Sequence, residues 1–551
     1  MPYNWASLLP VVNWANLRVV VLVAFGVLSN AYGLAIIGPT AGQWNFYIYF
    51  NLATLDEEGY EHTTKILGAL NGANSAGALM GCAISAWAAD KYGRKRTMQL
   101  GCAILILGGV LNATSVNITM LAIGRAVAGV GAGILAIVVP IYQAEVSAAK
   151  NRGAMMCVTG IMYALGYAFA GWIGYACAYI PADSPYASAA WRFPLAFQCL
   201  PPLIVLCGSR FIPFSPRWLL SQDRPREARD VIMRLHARNG ESGKEALEEY
   251  DLMQPQHEAD KRLLQHRTFE IFRTKANRHR ALVSALLMIF NQFLGVYVLA
   301  NYGVLIYTSL GLEGNVPLLL NACWTTLTIV LNTLCAFFVD RFGRKRFLLI
   351  GTVGCCVALI FEAALTAAYY DTKNDAGLAA AVFFVWFYLI FWSTFMDATQ
   401  FVYVSEIWPN HLRSQGTAWG LAWFFLSSEV TLVAAPVALN NIGWKFYLVL
   451  ICPSIVYIFV IYWLFPETKQ LTLEEIGKQF GDKHIVAQWS GIGEEEMQEI
   501  TQNAIELTID GQVPDDIGVI LPENGLQAKE RSRNDSDSSR KTAYDVTRQM
   551  A

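Results

Sequence analysis

The sequence predicts an all-α membrane protein, twelve transmembrane helices in two pseudo-symmetric halves of six. Three observations carry that reading. Of 551 residues, 54% are apolar and only 15% are charged, and a soluble chain of this size needs more charge to cover its surface. Apolar runs follow one another, six on each side of a polar segment, each close to the ~20 residues a helix needs to cross the hydrocarbon core. A short signature also occurs once per half, as Asp90-Lys91-Tyr92-Gly93-Arg94-Lys95-Arg96 and as Asp340-Arg341-Phe342-Gly343-Arg344-Lys345-Arg346, each time between apolar runs. Glu145 stands seven residues before Arg152, and Glu406 seven before Arg413, so this pair repeats as well.

The first run, from about Leu17 to Ile37, is too long for a signal-peptide core and reads as a retained span. Runs follow near Lys65–Ala89, Thr97–Thr114, Ile118–Ile141, Gly153–Ala178 and Trp191–Ile212. A polar segment, Pro213–His279, carries Ala228, Val231, Ile232 and Leu235 at helical spacing, which predicts short amphipathic helices. The second set is Arg280–Leu310, Val316–Val339, Phe347–Ala368, Gly377–Trp408, Gly416–Leu439 and Trp444–Phe465. From Pro466 the chain is polar, and the Ser/Asp/Arg mixture of Arg531–Lys541 cannot build a core. The expected divisions are a tail 1–16, a six-helix bundle 17–212, a loop segment 213–280, a second bundle 281–465 and a tail 466–551 that is disordered toward its end.

The loops alternate in charge. Lys91, Arg94, Lys95, Arg96, Lys150, Arg152, Arg341, Arg344, Lys345, Arg346 and Arg413 fall on one side, whereas Asp56, Glu57, Glu58, Glu61, Glu313, Asp371 and Asp375 fall on the other. The excess of Lys and Arg marks the first side, with both termini, as cytoplasmic. Two sequons, Asn112-Ala113-Thr114 and Asn117-Ile118-Thr119, hug the membrane and are expected to stay unused. A net charge of −2 offers no basic balance for nucleic acid. The 11 cysteines, Cys102, Cys157, Cys335 and Cys452 among them, are scattered through apolar runs without metal-ligand spacing. No nucleotide loop or nucleophile elbow is present. The sequence therefore predicts neither an enzyme nor a bound cofactor or metal.

Further strings lie along the same spans: Gly124-Arg125 with Gly129, Gly131 and Gly133; Pro140-x-Tyr142-x-x-Glu145 leading to Arg152-Gly153; and Ser215-Pro216-Arg217-Trp218-Leu219. Later come Gln292-x-x-Gly295, Glu406-Ile407-x-Pro409, Ile442-Gly443-Trp444-Lys445, and Pro466-Glu467-Thr468-Lys469 with Leu473-Glu474-Glu475. In this order the chain resembles a sugar porter of the major facilitator superfamily, most closely its fungal branch, over nearly all of Leu17–Phe480.

The resemblance implies that Asp90, Arg94, Glu145 and Arg152 form one ion-pair cluster, and Asp340, Arg344, Glu406 and Arg413 its twin. These clusters would close the cytoplasmic side in one state and part in the other. The glycines of the fourth span serve close helix packing or transport itself. A solute should bind near the midplane between the halves, and sugar recognition needs polar side chains beside an aromatic face. Asn291, Gln292, Asn301 and Tyr302 are seventh-span candidates. The family pattern is departed from at Gly160 (fifth-span Gln), Tyr297 (seventh-span Asn), Thr328 (eighth-span Asn), Asp397-Ala398 (tenth-span Gly-Pro), Phe401 (tenth-span Trp) and Phe425 (eleventh-span Trp, with Trp419 and Trp423 close by). The scaffold is kept while the pocket is rewritten.

Three acids, Glu362, Asp397 and Glu429, lie within spans, and an acid at a helix centre costs roughly 2.5–3.5 kcal/mol on insertion scales. Glu362 reads as structural. Asp397 and Glu429 are either structural acids or relocated proton sites, and Glu429 shares a helical face with Phe425. Proton-coupled relatives carry a first-span Asp in a Gly-Tyr-Asp string, opposite the fourth-span Arg; here the string is Ala31-Tyr32-Gly33, with Arg125 retained. The expected activity is alternating-access movement of a sugar or similar polyhydroxylated solute through a bilayer, by facilitated diffusion. H+ as coupling ion is the rival, and the functional unit is a monomer in a plasma membrane. Export of a fungal secondary metabolite and non-transporting nutrient sensing are the alternatives.

Overall fold

Apolar side chains drive each run into a helix because an unpaired backbone amide in hydrocarbon costs several kcal/mol, and the helix pairs them internally. The computed structural model describes residues 14–54, 57–147, 152–236, 247, 250, 251, 270–369, 374–409, 412–469, 471 and 473–481. The first half consists of α1 (Trp14–Ala35), α2 (Tyr60–Lys91), α3 (Arg94–Ala113), α4 (Ile118–Val146), α5 (Arg152–Cys177) and α6 (Ala189–Phe211). The second consists of α7 (Lys275–Ser309), α8 (Val316–Phe342), α9 (Arg344–Tyr369), α10 (Asp375–Phe391, prolonged by Trp392–Met396 and Asp397–Glu406), α11 (Arg413–Ile442) and α12 (Phe446–Leu464).

Nine stretches among the described residues are long and apolar enough to cross a membrane, and one of them, Gln415–Leu464, contains both α11 and α12. The helices α2 and α5 complete the twelve. Their hydropathy is diluted by Asn71, Asn74 and Ser75 in α2 and by Gly and Tyr residues in α5. Helices run a few residues beyond the apolar runs because capping side chains extend the backbone ladder into polar surroundings. Asn117 accepts from the amide of Met120 to start α4, and Thr274 from that of Asn277 to start α7. The segment after α6 forms two short helices, Pro216–Ser221 and Pro225–His236, and the second buries Ala228, Ile232 and Leu235 as their spacing predicted.

Within the first half, α4 packs on α2 and α3. A side chain at Gly129 would fall onto the carbonyl of Asn74, and one at Gly133 onto that of Ala78. The glycines therefore set backbone against backbone, which is how helices associate where no hydrophobic drive separates them from lipid.

The halves meet through α2 on α11, α5 on α8, and Ile37–Ala41 on α7. These meetings lie toward the acidic-loop ends. Gly68 and Gly72 of α2 face Val433 of α11, a side chain at Gly171 would meet Ala322 at 2.9 Å, and Trp172 Nε1 donates to Thr326 Oγ1 at 2.8 Å. Toward the basic loops, Gly160 of α5 has open space where a side chain would stand. Gly160 shares a helix face with Tyr163 and Ala164, which line the central cavity described below. Among the described residues the halves are thus closed at the acidic-loop side, with open space beside Gly160 toward the basic loops.

Candidate solute site and the ion-pair clusters

Two local departures from helix regularity build the centre. In α7 the helix stops at Phe293 and restarts at Val296, with Gly295 between them at φ +89°, a conformation that glycine tolerates. The freed carbonyl of Leu294 accepts from Tyr388 Oη of α10 at 3.0 Å. In α10, Trp392–Met396 winds as a π-turn. Such a turn brings residues five apart onto one face, and Trp392 and Asp397 are five apart.

Both residues line a cavity between the halves. Tyr163 and Tyr167 come from α5, Tyr297 from α7, Trp324, Thr325 and Thr328 from α8, and Trp392, Ser393 and Asp397 from α10. The hydroxyls of Tyr163 and Tyr297 meet across the halves at 3.0 Å. The aromatic face continues from Tyr297 to Phe424, with ring centroids 5.4 Å apart, and from Phe424 to Phe401 and Phe425.

Of the residues singled out in the sequence, Tyr297, Thr328 and Asp397 line this cavity. Asn291 and Gln292 are buried in α7, five and four residues before Val296, and are not among the lining residues. Asn291 Nδ2 donates to Gln400 Oε1 at 2.8 Å, whereas neither amide atom of Gln292 has a partner among the described residues. Asn301 turns its amide to the carbonyl of Tyr297 at 2.9 Å. Tyr302 is placed apart from the cavity: its hydroxyl accepts from Asn71 Nδ2 at 2.7 Å and donates to the carbonyl of Leu432 at 2.8 Å, at the seam between the halves. The residues that sequence reasoning missed are Tyr163, Tyr167, Trp324 and Trp392. The i, i+4 spacing of the two tyrosines, on the face of Gly160, was the available signal.

Arg125 is fully buried, with Nη1 donating to the carbonyl of Gly33 at 2.7 Å and Nε to that of Leu70 at 3.4 Å. No carboxylate pairs with it among the described residues. Glu429 of α11 packs on α2, its Oε1 2.8 Å from where a side chain at Gly72 would begin. Glu362 is buried inside the second half, accepting from Tyr447 Oη at 3.5 Å.

The ion-pair clusters sit at the basic-loop ends. Arg94 meets Glu145 at 3.0 Å with both side chains mostly buried, and Asp90 at 3.2 Å with the aspartate side chain 80% exposed, so Glu145 is the stronger partner. In the second half Arg344 meets Glu406 at 2.8 Å, and Glu406 also accepts from Thr468 Oγ1 at 2.7 Å. Arg413 opens α11, half-buried. The side chains of Arg152 and Asp340 lie outside the described residues. Each pair seen joins helices of one half.

A further symmetry accompanies the pairs. Tyr142, three residues before Glu145, donates to the carbonyl of Pro213 at 2.8 Å, and Tyr403, three before Glu406, donates to that of Pro466 at 2.8 Å. Each half thus ties the chain leaving its last helix to its own cluster.

Twelve helices in two related halves around a central cavity define a membrane transporter. The family described as "Sugar (and other) transporter" matches residues 19–480, and the chain belongs to it. It is therefore a multi-pass membrane protein and not an enzyme. Among similar proteins, the MFS-type transporter criB of Aspergillus cristatus is 31% identical over 423 residues, covering 77% of this chain and 86% of the relative. The high-affinity glucose transporter of Kluyveromyces lactis is 27% identical over 432 residues, 75% and 77% of the two chains. Among solved structures, the partially occluded inward open xylose transporter XylE from E. coli superposes with TM-score 0.69 at 21% identity, over 83% of this chain and 99% of that one. The proton:xylose symporter XylE bound to 6-bromo-6-deoxy-D-glucose gives 0.70 at 22%, over 85% and 100%. At that identity the likeness is one of fold.

Proposed function

We propose that the chain moves a sugar-like polyhydroxylated solute across a membrane by alternating access and facilitated diffusion. The observation that carries this is the cavity between the halves, where hydroxyls of Tyr163, Tyr297, Thr325 and Thr328 stand beside tyrosine and tryptophan rings. Hydroxyls and flat apolar faces are what a polyol with an apolar ring face requires. The glucose transporters among the relatives agree with the reading.

Asn291, Gln292 and Thr328 supply polar contacts, Phe401 and Phe425 extend the aromatic wall, and Asn301 and Tyr302 hold α7 at the seam. The clusters of Arg94 and Arg344 stiffen the ends of each half. Facilitated diffusion is supported by Arg125: its partners are the backbone carbonyls of Gly33 and Leu70, which carry no proton. The basic loops and both termini face the cytoplasm of a cell bounded by the plasma membrane, and one chain is the functional unit.

Uptake of a radiolabelled panel of hexoses, pentoses, polyols and disaccharides into vesicles tests this. At least one neutral sugar should equilibrate without exceeding its outside concentration, and a protonophore should not change that level. Uphill accumulation that collapses with the proton gradient and is lost in Glu429→Gln would replace facilitated diffusion with proton coupling at Glu429. Cysteines placed at Arg94 or Arg344 should resist impermeant labelling from outside intact cells.

A further inference from the structure

Asp397 is the one carboxylate among the residues lining the cavity. Its Oδ2 accepts from Asn332 Nδ2 at 2.7 Å, and among the described residues no lysine, arginine or histidine forms an ion pair with it. Arg125, the buried cation of the facing half, is turned to backbone carbonyls. The amide of Gln400, which also donates toward Asp397, reaches its backbone carbonyl at 3.2 Å and leaves the carboxylate alone.

The groups around Asp397 favour positive charge. Tyr163, Tyr167 and Tyr297 all lie close enough for its charge to act on them, and Trp324 and Trp392 complete the wall. Aromatic faces attract cations through their quadrupoles. Two of the neighbouring hydroxyls present lone pairs to the cavity, because Thr328 donates to the carbonyl of Trp324 and Thr325 to those of Asn321 and Ala322, whereas the hydroxyls of Tyr167 and Ser393 have no partner among the described residues. A carboxylate bonded to a neutral amide and ringed by aromatic faces, with no cation paired to it among the described residues, suits a partner that brings positive charge.

We propose that Asp397 is the specificity-determining anchor for a cationic amino group on the solute, so that the transported class is an amine-bearing polyhydroxylated molecule. The inference rests on the reading of the cavity as a sugar-like site and narrows it. The ammonium would sit against the carboxylate with the rings around it, while the hydroxyls of the solute meet Tyr163 and Tyr297. A neutral sugar leaves Asp397 unanswered and binds more weakly.

The experiment is exchange across proteoliposomes holding the full-length protein, with three radiolabelled probes: D-glucosamine with its amine protonated, N-acetyl-D-glucosamine, and D-glucose. The wild type should exchange D-glucosamine at about tenfold lower half-saturating concentration than either neutral probe, a ratio worth about 1.4 kcal/mol. Asp397→Asn should bring that ratio close to one, and Asp397→Glu should preserve a preference for the amine. Equal half-saturation of all three probes by the wild type overturns the proposal while leaving the sugar-like reading intact, whether or not Asp397→Asn folds. A preference that survives in folded Asp397→Asn overturns it too. If no probe exchanges, thermal-shift titration with choline decides. Stabilisation of the wild type that is lost in Asp397→Asn keeps the cation site and removes the sugar reading, and no stabilisation removes both.

Discussion

Gln292 is buried in α7, four residues before the cavity-lining Val296, with both amide atoms unpartnered among the described residues. A buried amide without partners costs about 1–3 kcal/mol, which a bound solute or water that supplies the bonds recovers. Replacing it by an apolar side chain of similar length should therefore act with opposite sign on stability and on binding. Gln292→Met should leave the unfolding temperature in detergent unchanged or raised, while weakening solute binding by about 1–3 kcal/mol, read by titration on the purified protein. Unchanged affinity in the folded variant would remove Gln292 from the site. Arg125 shows the converse economy. The sequence could say that this cation needs a partner in the membrane, but not that the partner is the carbonyl of Gly33. That bond depends on α1 approaching α4 closely, which periodicity does not report.

The elements at the basic-loop ends are braced by two tight turns. Gly93 has φ +85° and faces the ring of Trp218 at 2.9 Å from an added β carbon; Gly343 has φ +95° and faces Glu467 Oε2 at 2.6 Å. Gly93→Ala and Gly343→Ala combine backbone strain with a clash, and each should destabilise the protein by about 1–3 kcal/mol in detergent unfolding. The Arg344–Glu406 pair is partly buried and shared with Thr468, so a double-mutant cycle with Arg344→Ala and Glu406→Ala should return a coupling of about 0.5–3 kcal/mol. A coupling near zero would reduce the pair to an orientation signal. Much of this was legible: the repeated acid, glycine and base strings marked both turns, and the Glu residues were named as partners of Arg94 and Arg344. Tyr403 and its bond to Pro466 were not, because Tyr403-x-x-Glu406 has Phe401 where the string of the first half has Pro140. The wall of α10 was hidden for a different reason. A regular 100° step separates Trp392 from Asp397, and only the π-turn shifts the phase that brings them together.

At the scale of the whole molecule, the described seam lies toward the acidic loops, and the ion pairs lie within the halves. Alternating access then requires the seam to open while each half keeps its own bonds, a rigid-body movement of one bundle against the other. Asn71 to Tyr302, Trp172 to Thr326 and the packing of Gly72 on Val433 would all separate in the opposite state. A covalent link across the seam should therefore trap the protein without disturbing the cavity. A β carbon at Gly72 would stand 2.5 Å from a γ carbon of Val433, which puts cysteines at these two positions within about 4 Å, the range a disulfide accepts. In Gly72→Cys/Val433→Cys, mild oxidation should abolish exchange across proteoliposomes, and a reductant should restore it. The link is confirmed by the halves staying together on a denaturing gel after cleavage at a protease site engineered between them. Solute binding measured from the basic-loop side should persist in the oxidised protein, since the link at Gly72 and Val433 leaves that side untouched. Exchange that continues at full rate with the link formed would mean that the acidic-loop seam does not part during the cycle, and that the halves do not alternate in the way the fold suggests.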